Sequence, residues 1–322
     1  MFAITATSFS RDDPLSGLAL GDHPDPDPPD GWELVRVRAA SLNHHDIWTL
    51  RGVGVDEERL PIVLGCDAAG VTGDGREVVV HGVISGSDGG DETLASDASI
   101  LSERHDGTFA DLVAVPRRNL VDKPDELSFA EAASLPTAYL TAYRALFMRA
   151  RLRPGDRLLV QGAGGGTATA AILLARAAGG RVFVTSRSAD KRQQALDLGA
   201  HDVLEAGARL PERMDVVFES VGTATWEHTI RSTRDGGTVV VIGATTGTDP
   251  PAGLNHLFYR QLRVIGSTMG TRDELVSLVR FLRATGVRPL IDDTFPLREA
   301  RRAFERMLAG DVFGKLVLTA DE

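Results

Sequence analysis

The most informative segment of this sequence is Arg157-Leu158-Leu159-Val160-Gln161-Gly162-Ala163-Gly164-Gly165-Gly166-Thr167-Ala168. A short apolar strand runs directly into a glycine-rich turn. The segment after it, 168–178, is almost all Ala, Leu and Ile, which favours a helix. In this order, free backbone N–H groups and the positive end of the helix meet at one point and bind an anion. The stretch predicts a dinucleotide site with contacts from Ala163, Gly164, Gly165, Gly166, Thr167 and Ala168.

The end of the next predicted strand, 181–185, indicates which dinucleotide to expect. In NAD-binding proteins an acidic residue about twenty positions after the glycines binds the ribose 2′-hydroxyl. Here that place is taken by Ser186 and Arg187, with Lys191 and Arg192 shortly after. A guanidinium suits a 2′-phosphate, which a carboxylate would repel. We therefore expect NADPH rather than NADH; the alternative is that Arg187 and Lys191 are ordinary solvated charges.

On either side of the glycine turn the sequence pattern differs. From about residue 155, short apolar strands alternate with helical segments, which predicts a parallel sheet buried on both faces, with strands at 157–161, 181–185, 214–219, 238–242 and 262–266. Helices are expected at 168–178, at 190–198 and from 271 to about 285, and a last strand at 314–318. The first part has alternating segments at 33–38, 76–80 and 109–115, typical of an antiparallel, barrel-like β domain. Segments 22–30 and 85–102 are predicted to be surface loops.

Length and composition exclude several classes of protein. A chain of 322 residues is long enough for two domains. The net charge of −10, without a Lys/Arg-rich run, argues against nucleic acid or an anionic membrane as partner and favours a small-molecule substrate. The single cysteine, Cys66, excludes an internal disulfide and a four-cysteine zinc site. Neither a signal peptide nor a membrane-spanning apolar run is present, so we expect a cytoplasmic protein.

Several motifs occur in the order found in one family: Ser41-Leu42-Asn43-His44-His45-Asp46, Leu64-Gly65-Cys66-Asp67-Ala68-Ala69-Gly70, Asp106-Gly107-Thr108-Phe109-Ala110, Ala132-Ala133-Ser134-Leu135-Pro136-Thr137-Ala138-Tyr139-Leu140-Thr141-Ala142-Tyr143, the glycine turn and Gly314-Lys315-Leu316-Val317. Nearly end to end, the chain resembles the medium-chain dehydrogenase/reductase superfamily in its alcohol dehydrogenase and quinone oxidoreductase branches. The resemblance implies an α/β protein with a GroES-like β-barrel catalytic domain, residues 1–120 and 286–322. A Rossmann doubly wound cofactor domain, residues 121–285, is inserted between these segments, and the active site lies in a cleft. It also implies a homodimer, often joined through the edge strand that matches 262–266.

In zinc-dependent relatives, a cysteine, a histidine and a second cysteine bind the catalytic metal, and the resemblance places these positions at Asn43, Cys66 and Thr137. One thiol with two neutral oxygens cannot supply the ligands that a catalytic zinc needs, so we expect no catalytic zinc. The lobe that binds structural zinc in many members corresponds to 83–104, which contains no cysteine. We therefore expect no structural zinc either.

The resemblance also suggests roles for individual residues. Asn43 is a candidate donor to the oxygen that gains charge, or it only braces a loop. His45 matches the hydroxyl of the proton relay in zinc members, but His44 or His45 could simply cap the following turn. Asp46 and Asp67 are expected to order His45 or backbone groups, and Cys66 could be a small buried apolar residue. Tyr139 and Thr137 would line the substrate space, and cofactor contacts are expected from Thr141, Gly243, Ser267 and Lys315.

These features favour an NADPH-dependent, zinc-independent oxidoreductase that transfers hydride to a quinone or an α,β-unsaturated carbonyl compound. Such substrates need only an oriented acceptor and hydrogen-bond donors for the charge that develops on oxygen. Two alternatives stay open. One is a carbonyl reductase of a biosynthetic intermediate with His45 as proton donor, and the other is an NADPH-binding protein with little turnover.

Overall fold

The computed structural model describes residues 1–86 and 90–320. The N-terminal part contains short strands and two helices: β1 (Phe2–Ala6), β2 (Leu18–Asp22), β3 (Trp32–Ser41), α1 (His44–Leu50), β4 (Ile62–Val63), β5 (Ala68–Thr72), β6 (Glu77–Val80), β7 (Val83–Ile84), β8 (Ser99–Ile100), β9 (Leu112–Pro116), β10 (Leu120–Asp122) and α2 (Phe129–Ala133). The helical segment after α2 contains two π-helical turns, Leu135–Tyr139 and Arg144–Arg149.

The middle of the chain alternates strands and helices: α3 (Leu140–Tyr143), β11 (Arg157–Gln161), α4 (Gly166–Ala177), β12 (Arg181–Ser186), α5 (Ala189–Asp197), β13 (Asp202–Glu205), β14 (Met214–Glu219), α6 (Thr223–Ser232), β15 (Thr233–Val241), α7 (Leu254–Tyr259) and β16 (Arg263–Gly266). The C-terminal part contains α8 (Arg272–Thr285), β17 (Ile291–Pro296), α9 (Ala300–Ala309) and β18 (Lys315–Thr319).

The chain forms two compact units, one of Met1–Ala138 with Met269–Glu322 and the other of Tyr139–Thr268. The predicted boundaries at residues 120 and 285 differ from these, because β10 pairs with β6, α2 packs on β3 and α8 contacts β10. Segments 121–138 and 269–285 therefore belong to the β-rich unit.

The β-rich unit is built around a seven-stranded sheet of order β10-β6-β5-β3-β18-β17, in which β9 also pairs with β3. Its core is apolar, and the rings of Phe109 and Phe304 meet edge to face at 6.1 Å. The C-terminal strand β18 runs antiparallel to β3, with Val317 opposite Ser41. This pairing brings the tail of the chain next to the loop that follows β3.

The second unit is a six-stranded parallel sheet of order β13-β12-β11-β14-β15-β16. The strand order reverses between β11 and β14, and such a switch point leaves a crevice at the carboxyl ends of the strands where dinucleotides bind. The glycine turn follows β11 at this crevice. The predicted fold class, a GroES-like β domain with a Rossmann doubly wound domain, is confirmed.

One predicted loop is wrong in part. Segment 85–102 contains β8, which pairs with β7, and its residues Ser99 and Ser102 are buried. The polar composition of this segment predicted an exposed loop rather than a hairpin. Small hydroxyl side chains can nevertheless be buried when they are hydrogen bonded. Residues 87–89 of this segment lie outside the described residues.

Within residues 1–86 and 90–320, none of the helices combines the length and apolar character needed to cross a membrane.

Candidate functional site

The glycine turn has the conformation expected of an anion site. Gly162 and Gly164 have φ angles of +81° and +110°, which favour glycine. Gly165 is the N-cap of α4, supplies no side chain to cap it and leaves open space where a Cβ would be. The first N–H groups of a helix have no partner within it, so those of Gly166, Thr167 and Ala168 are available to a ligand. A pyrophosphate fits here by charge and by space. Thr167, not glycine, takes the third position of the G-x-G-x-x-G pattern.

The two arginines after β12 differ in what they contact. Arg192 donates from Nη1 to the carbonyl oxygen of Ser186 at 2.7 Å and to that of Arg187 at 3.3 Å. Its guanidinium therefore holds the loop after the strand. Ser186 is buried, whereas the Arg187 side chain is exposed, and Lys191 is half-buried at the start of α5. Of these cations, Arg187 is the exposed one at the carboxyl end of β12.

Three further residues expected to bind cofactor lie in this unit. Ser267 follows β16 and is buried, and its Oγ has no hydrogen-bond partner within the described part of the chain. An unpaired buried hydroxyl often marks a place where a ligand or a water binds. Gly243 follows β15 and is half-buried, and Thr141 is buried in α3.

The three positions that bind metal in zinc relatives meet at one place in the β-rich unit. The Cys66 thiol lies 3.7 Å from Asn43 Nδ2 and 3.4 Å from Thr137 Oγ1. Cys66 follows Gly65, whose φ of +94° and tight contact with the Phe109 ring exclude a larger residue. The aligned positions therefore converge although their metal-binding side chains are replaced.

Asp67 is the centre of this cluster. Its carboxylate is fully buried and accepts from Thr137 Oγ1 at 2.6 Å, from Ser41 Oγ at 2.8 Å and from Asn43 Nδ2 at 2.8 Å. Each donor is a side chain fixed by the backbone: Ser41 ends β3, Asn43 precedes α1 and Thr137 lies in a π-helical turn. Three hydrogen bonds satisfy a carboxylate that burial would otherwise destabilise.

Lys315 supplies the positive charge of the cluster. It is buried at the start of β18 and donates from Nζ to the carbonyl oxygen of Leu42 at 2.6 Å and to Asn43 Oδ1 at 2.7 Å. Its Nζ lies 3.6 Å from Asp67 Oδ2. Burial lowers the pKa of Lys315, and the Asp67 carboxylate opposes this effect. Lys315, expected from the resemblance to bind cofactor, thus has bonds within the cluster.

We refer to Asn43, Cys66, Asp67, Thr137 and Lys315 as the Asp67 cluster. Its donor set does not fit zinc. Of the three aligned positions, Cys66 alone offers a thiol, whereas Asn43 and Thr137 offer an amide and a hydroxyl, which fall short of the ligands that a catalytic zinc needs. An ammonium group beside Asp67 also opposes a second cation. No group of three potential metal-binding His, Cys, Asp or Glu side chains occurs among the residues that the structure describes.

Asn43 uses its amide group within this cluster. Its Nδ2 donates to Asp67 and also to the carbonyl oxygen of Ser41 at 3.2 Å, while its Oδ1 accepts from Lys315. An amide has two hydrogens, and both have protein acceptors here. This geometry corresponds to the bracing role of Asn43.

Asp46 and His45 lie in the first turn of α1. Asp46 is fully buried and accepts from the backbone N–H of Asn43 at 2.7 Å. Burial, together with the neighbouring Asp67 carboxylate, raises the pKa of Asp46 to about 7. His45 is half-buried, and its Nε2 lies 3.2 Å from Ser102 Oγ. The predicted substrate-lining residue Tyr139 is fully buried.

Three features of the site were not predicted from the sequence: Ser41, Ser102 and the position of Lys315. Ser41 and Lys315 come together through the register of β18 on β3, for which the sequence carries no local signal. Ser102 lies in the segment predicted to be a loop.

Comparison with known proteins supports the same fold and family. Residues 29–125 match the Alcohol dehydrogenase GroES-like domain family, and residues 166–284 match the Zinc-binding dehydrogenase family. The positions Asn43, Cys66 and Thr137 lie outside the second match.

Two relatives and one solved structure are similar over most of the chain. A zinc-type alcohol dehydrogenase-like protein of Schizosaccharomyces pombe is 31% identical, over 90% of this chain and 91% of the relative. The 2-methylene-furan-3-one reductase of Solanum lycopersicum is also 31% identical, over 91% of this chain and 73% of the relative. A crystal structure of an NAD-dependent alcohol dehydrogenase superposes with a TM-score of 0.92 and 33% identity, covering 100% of both chains. The chain belongs to the medium-chain dehydrogenase/reductase superfamily and is an oxidoreductase of that type.

Proposed function

We propose that this protein is an NADPH-dependent, zinc-independent oxidoreductase that transfers hydride to an α,β-unsaturated carbonyl compound or a quinone. The observation that carries the proposal is the Asp67 cluster. Where zinc relatives bind a metal that acidifies an alcohol, this chain has a protonated thiol, an amide, a hydroxyl and a Lys–Asp ion pair. Conjugated acceptors suit such a site, since their reduction needs no metal-bound alkoxide.

NADPH is the cofactor that the second unit fits best. The glycine turn and the start of α4 would hold the pyrophosphate, and Ser267 Oγ offers an unpaired hydroxyl. Arg187 would bind the 2′-phosphate, because it is exposed at the carboxyl end of β12 and neither Ser186 nor Arg187 at that end is acidic. When bound, the nicotinamide supplies the hydride. One similar structure does not share this cofactor preference: the alcohol dehydrogenase named above is NAD-dependent.

His45 is the residue we assign to proton donation. Hydride addition to the β-carbon of an enone places negative charge on the carbonyl oxygen, which a hydrogen-bond donor stabilises and a general acid protonates. Asn43 has both amide hydrogens engaged, whereas His45 is half-exposed and its imidazole is the kind of side chain that transfers protons near neutral pH, although burial lowers the pKa of His45. The 2-methylene-furan-3-one reductase, whose name gives a conjugated ketone as substrate, supports this reaction class.

A second candidate function is reduction of a simple carbonyl group. The observation that favours it is the similarity to alcohol dehydrogenases, at 31% and 33% identity. His45 would then protonate the alkoxide. An NADPH-binding protein with little turnover is the third candidate.

A panel of acceptors distinguishes the three. The purified protein is mixed with NADPH and, in parallel, with enones, quinones, saturated ketones and aldehydes, and NADPH absorbance is followed. Oxidation with enones or quinones supports the proposal, and oxidation only with saturated carbonyl compounds supports the second candidate. Tight NADPH binding without oxidation supports the third. Stoichiometric zinc by elemental analysis would contradict our interpretation of the Asp67 cluster.

A further inference from the structure

A contact between α1 and the turn after β8 has no part in the function proposed so far. His45 Nε2 lies 3.2 Å from Ser102 Oγ, and both residues belong to the β-rich unit. Ser102 is fully buried. The contact therefore fixes one ring nitrogen of the residue to which we assign proton donation.

The backbone of Ser102 is not one that serine favours. Its φ of +72° lies in the left-handed region, where glycine and asparagine are common and other residues are not. Glycine would adopt this backbone conformation with less strain than serine. What serine adds at this position is the hydroxyl, and that hydroxyl contacts His45.

The turn that carries Ser102 is held firmly in place. The Ser102 N–H donates to the carbonyl oxygen of His105 at 2.9 Å, and the Leu101 N–H donates to that of Gly82 at 2.9 Å. The carboxylate of Glu103 accepts from the N–H of Ile100 at 2.8 Å. These bonds fix the position of the Ser102 hydroxyl, which in turn is hydrogen bonded to His45.

Because Nε2 is directed at Ser102, a proton that His45 gives to a substrate leaves from the other ring nitrogen, Nδ1. Nε2 then keeps its N–H, and the Ser102 hydroxyl oxygen accepts from it before and after the transfer. Other groups also face His45: the carboxylates of Glu103 and Asp67 and the backbone of Leu101 favour its protonated form against burial, which lowers the pKa of His45. Of the groups named here, the Ser102 hydroxyl is hydrogen bonded to Nε2, so the ring keeps its orientation while Nδ1 changes its protonation state.

We propose that Ser102 is a positioning residue for His45, whose hydroxyl keeps the imidazole oriented while it delivers its proton to the substrate. The inference rests on the proposed function, in which His45 is the proton donor. Misplacing a reacting group by about 1 Å can cost roughly 100-fold in rate, so loss of the hydroxyl should lower kcat by about 10- to 100-fold.

The test uses two variants of Ser102 and one control. Ser102→Gly removes the hydroxyl and suits the left-handed backbone, so it should fold at least as well as the wild type. Ser102→Ala removes the hydroxyl and keeps the Cβ. Ser99→Ala removes a buried hydroxyl from the neighbouring strand β8, and that hydroxyl contacts Ile100 and Glu103 rather than His45. For each protein, kcat and the KM for NADPH are measured with the best enone, and the His45 ring nitrogens are observed by NMR, assigned with His45→Gln.

The expected result is a lower kcat with an unchanged KM for NADPH in both Ser102 variants, and a changed tautomer signature of His45, while Ser99→Ala behaves as the wild type. Full activity of Ser102→Gly alongside a defective Ser102→Ala would show a backbone effect and overturn the proposal. An unchanged His45 spectrum in Ser102→Gly would also overturn it. If the wild type reduces no acceptor, the proposed function fails, whereas the NMR comparison still decides whether Ser102 orients His45.

Discussion

At the scale of single residues, the cofactor preference depends on two arginines with different tasks. Arg192 is bound to backbone carbonyl groups, whereas Arg187 is exposed at the carboxyl end of β12. The local sequence is rich in cations, but only the structure distinguishes the one that holds the loop from the one available to a phosphate. Their replacement should therefore have different consequences.

Arg187→Ala should weaken NADPH binding by roughly 10- to 150-fold, as expected for a charge-assisted bond of about 1.5–3 kcal/mol, and leave NADH binding nearly unchanged. Dissociation constants from cofactor fluorescence measure both effects. Arg181→Ala, at the opposite end of β12, is the matched control and should bind both cofactors as the wild type does. Equal losses of NADPH and NADH affinity in Arg187→Ala would contradict the assignment of Arg187 to the 2′-phosphate.

Asp46 should make the stability of the protein depend on pH. Its pKa of about 7 in the folded state lies above the ordinary value near 4, so the folded state binds the proton more tightly. The stabilising contribution is complete below about pH 4 and is lost as the pH rises through 7. Between pH 5 and 8, the wild type should lose roughly 2–3 kcal/mol of unfolding free energy that Asp46→Asn does not lose.

Urea unfolding at the two pH values measures this difference. Asp30→Asn, which alters an exposed aspartate in the 22–30 loop, should keep the wild-type pH dependence. The same pH dependence in Asp46→Asn as in the wild type would show that Asp46 does not titrate in this range.

At the scale of elements, we propose that the turn between β11 and α4 binds the pyrophosphate group that NADPH and NADH share. Gly164→Ala forces a side chain into a φ of +110°, at a cost of about 1–3 kcal/mol, so binding should fall roughly 5- to 150-fold. NADPH and NADH should lose affinity equally, unlike in Arg187→Ala. Gly21→Ala in β2, where a Cβ meets no atom, is the control and should leave both affinities unchanged. A loss of affinity for NADPH but not for NADH in Gly164→Ala would mean that the turn does not hold the shared pyrophosphate.

The sequence predicted the parallel sheet well, because its strands are continuous apolar runs bounded by glycine turns and helices. The strand at 157–161 is confirmed as β11, and the helix predicted at 168–178 is α4, which begins at Gly166. The first unit was harder, since β7 and β8 have only two residues each and a polar segment separates them. Pairs this short are stabilised by their surroundings rather than by their own residues.

The candidate site could be predicted only in part. Asn43, Cys66 and Thr137 were placed together by the resemblance, and the structure brings them into contact. Lys315 joins them because β18 pairs with β3, a contact across more than half of the chain that no local pattern specifies. The tail of the chain thus contributes the positive charge beside Asp67.

At the scale of the whole molecule, we propose a homodimer joined through β16. This strand lies at the end of the parallel sheet and pairs with β15 on one side. Val264 is 42% exposed, and α7, which precedes the strand, exposes Leu254, Phe258 and Tyr259. An unpaired strand edge beside apolar side chains favours pairing with a second copy.

Sedimentation should give the wild type twice the mass of one chain and Val264→Asp the mass of one. Leu94→Asp changes an equally apolar exposed residue of the β-rich unit and should remain dimeric. A wild type that sediments as one chain at micromolar concentration would contradict the proposed interface.

The proposed reaction requires that hydride reaches the β-carbon of a conjugated acceptor without a metal. Its most direct test is to treat the protein with a chelator and then supply an enone with NADPH that carries deuterium at the transferred position. We predict that the product is the saturated ketone with deuterium on its β-carbon, formed at the untreated rate. Deuterium on the carbonyl carbon of an allylic alcohol, or activity lost to the chelator and restored by zinc, would contradict the account.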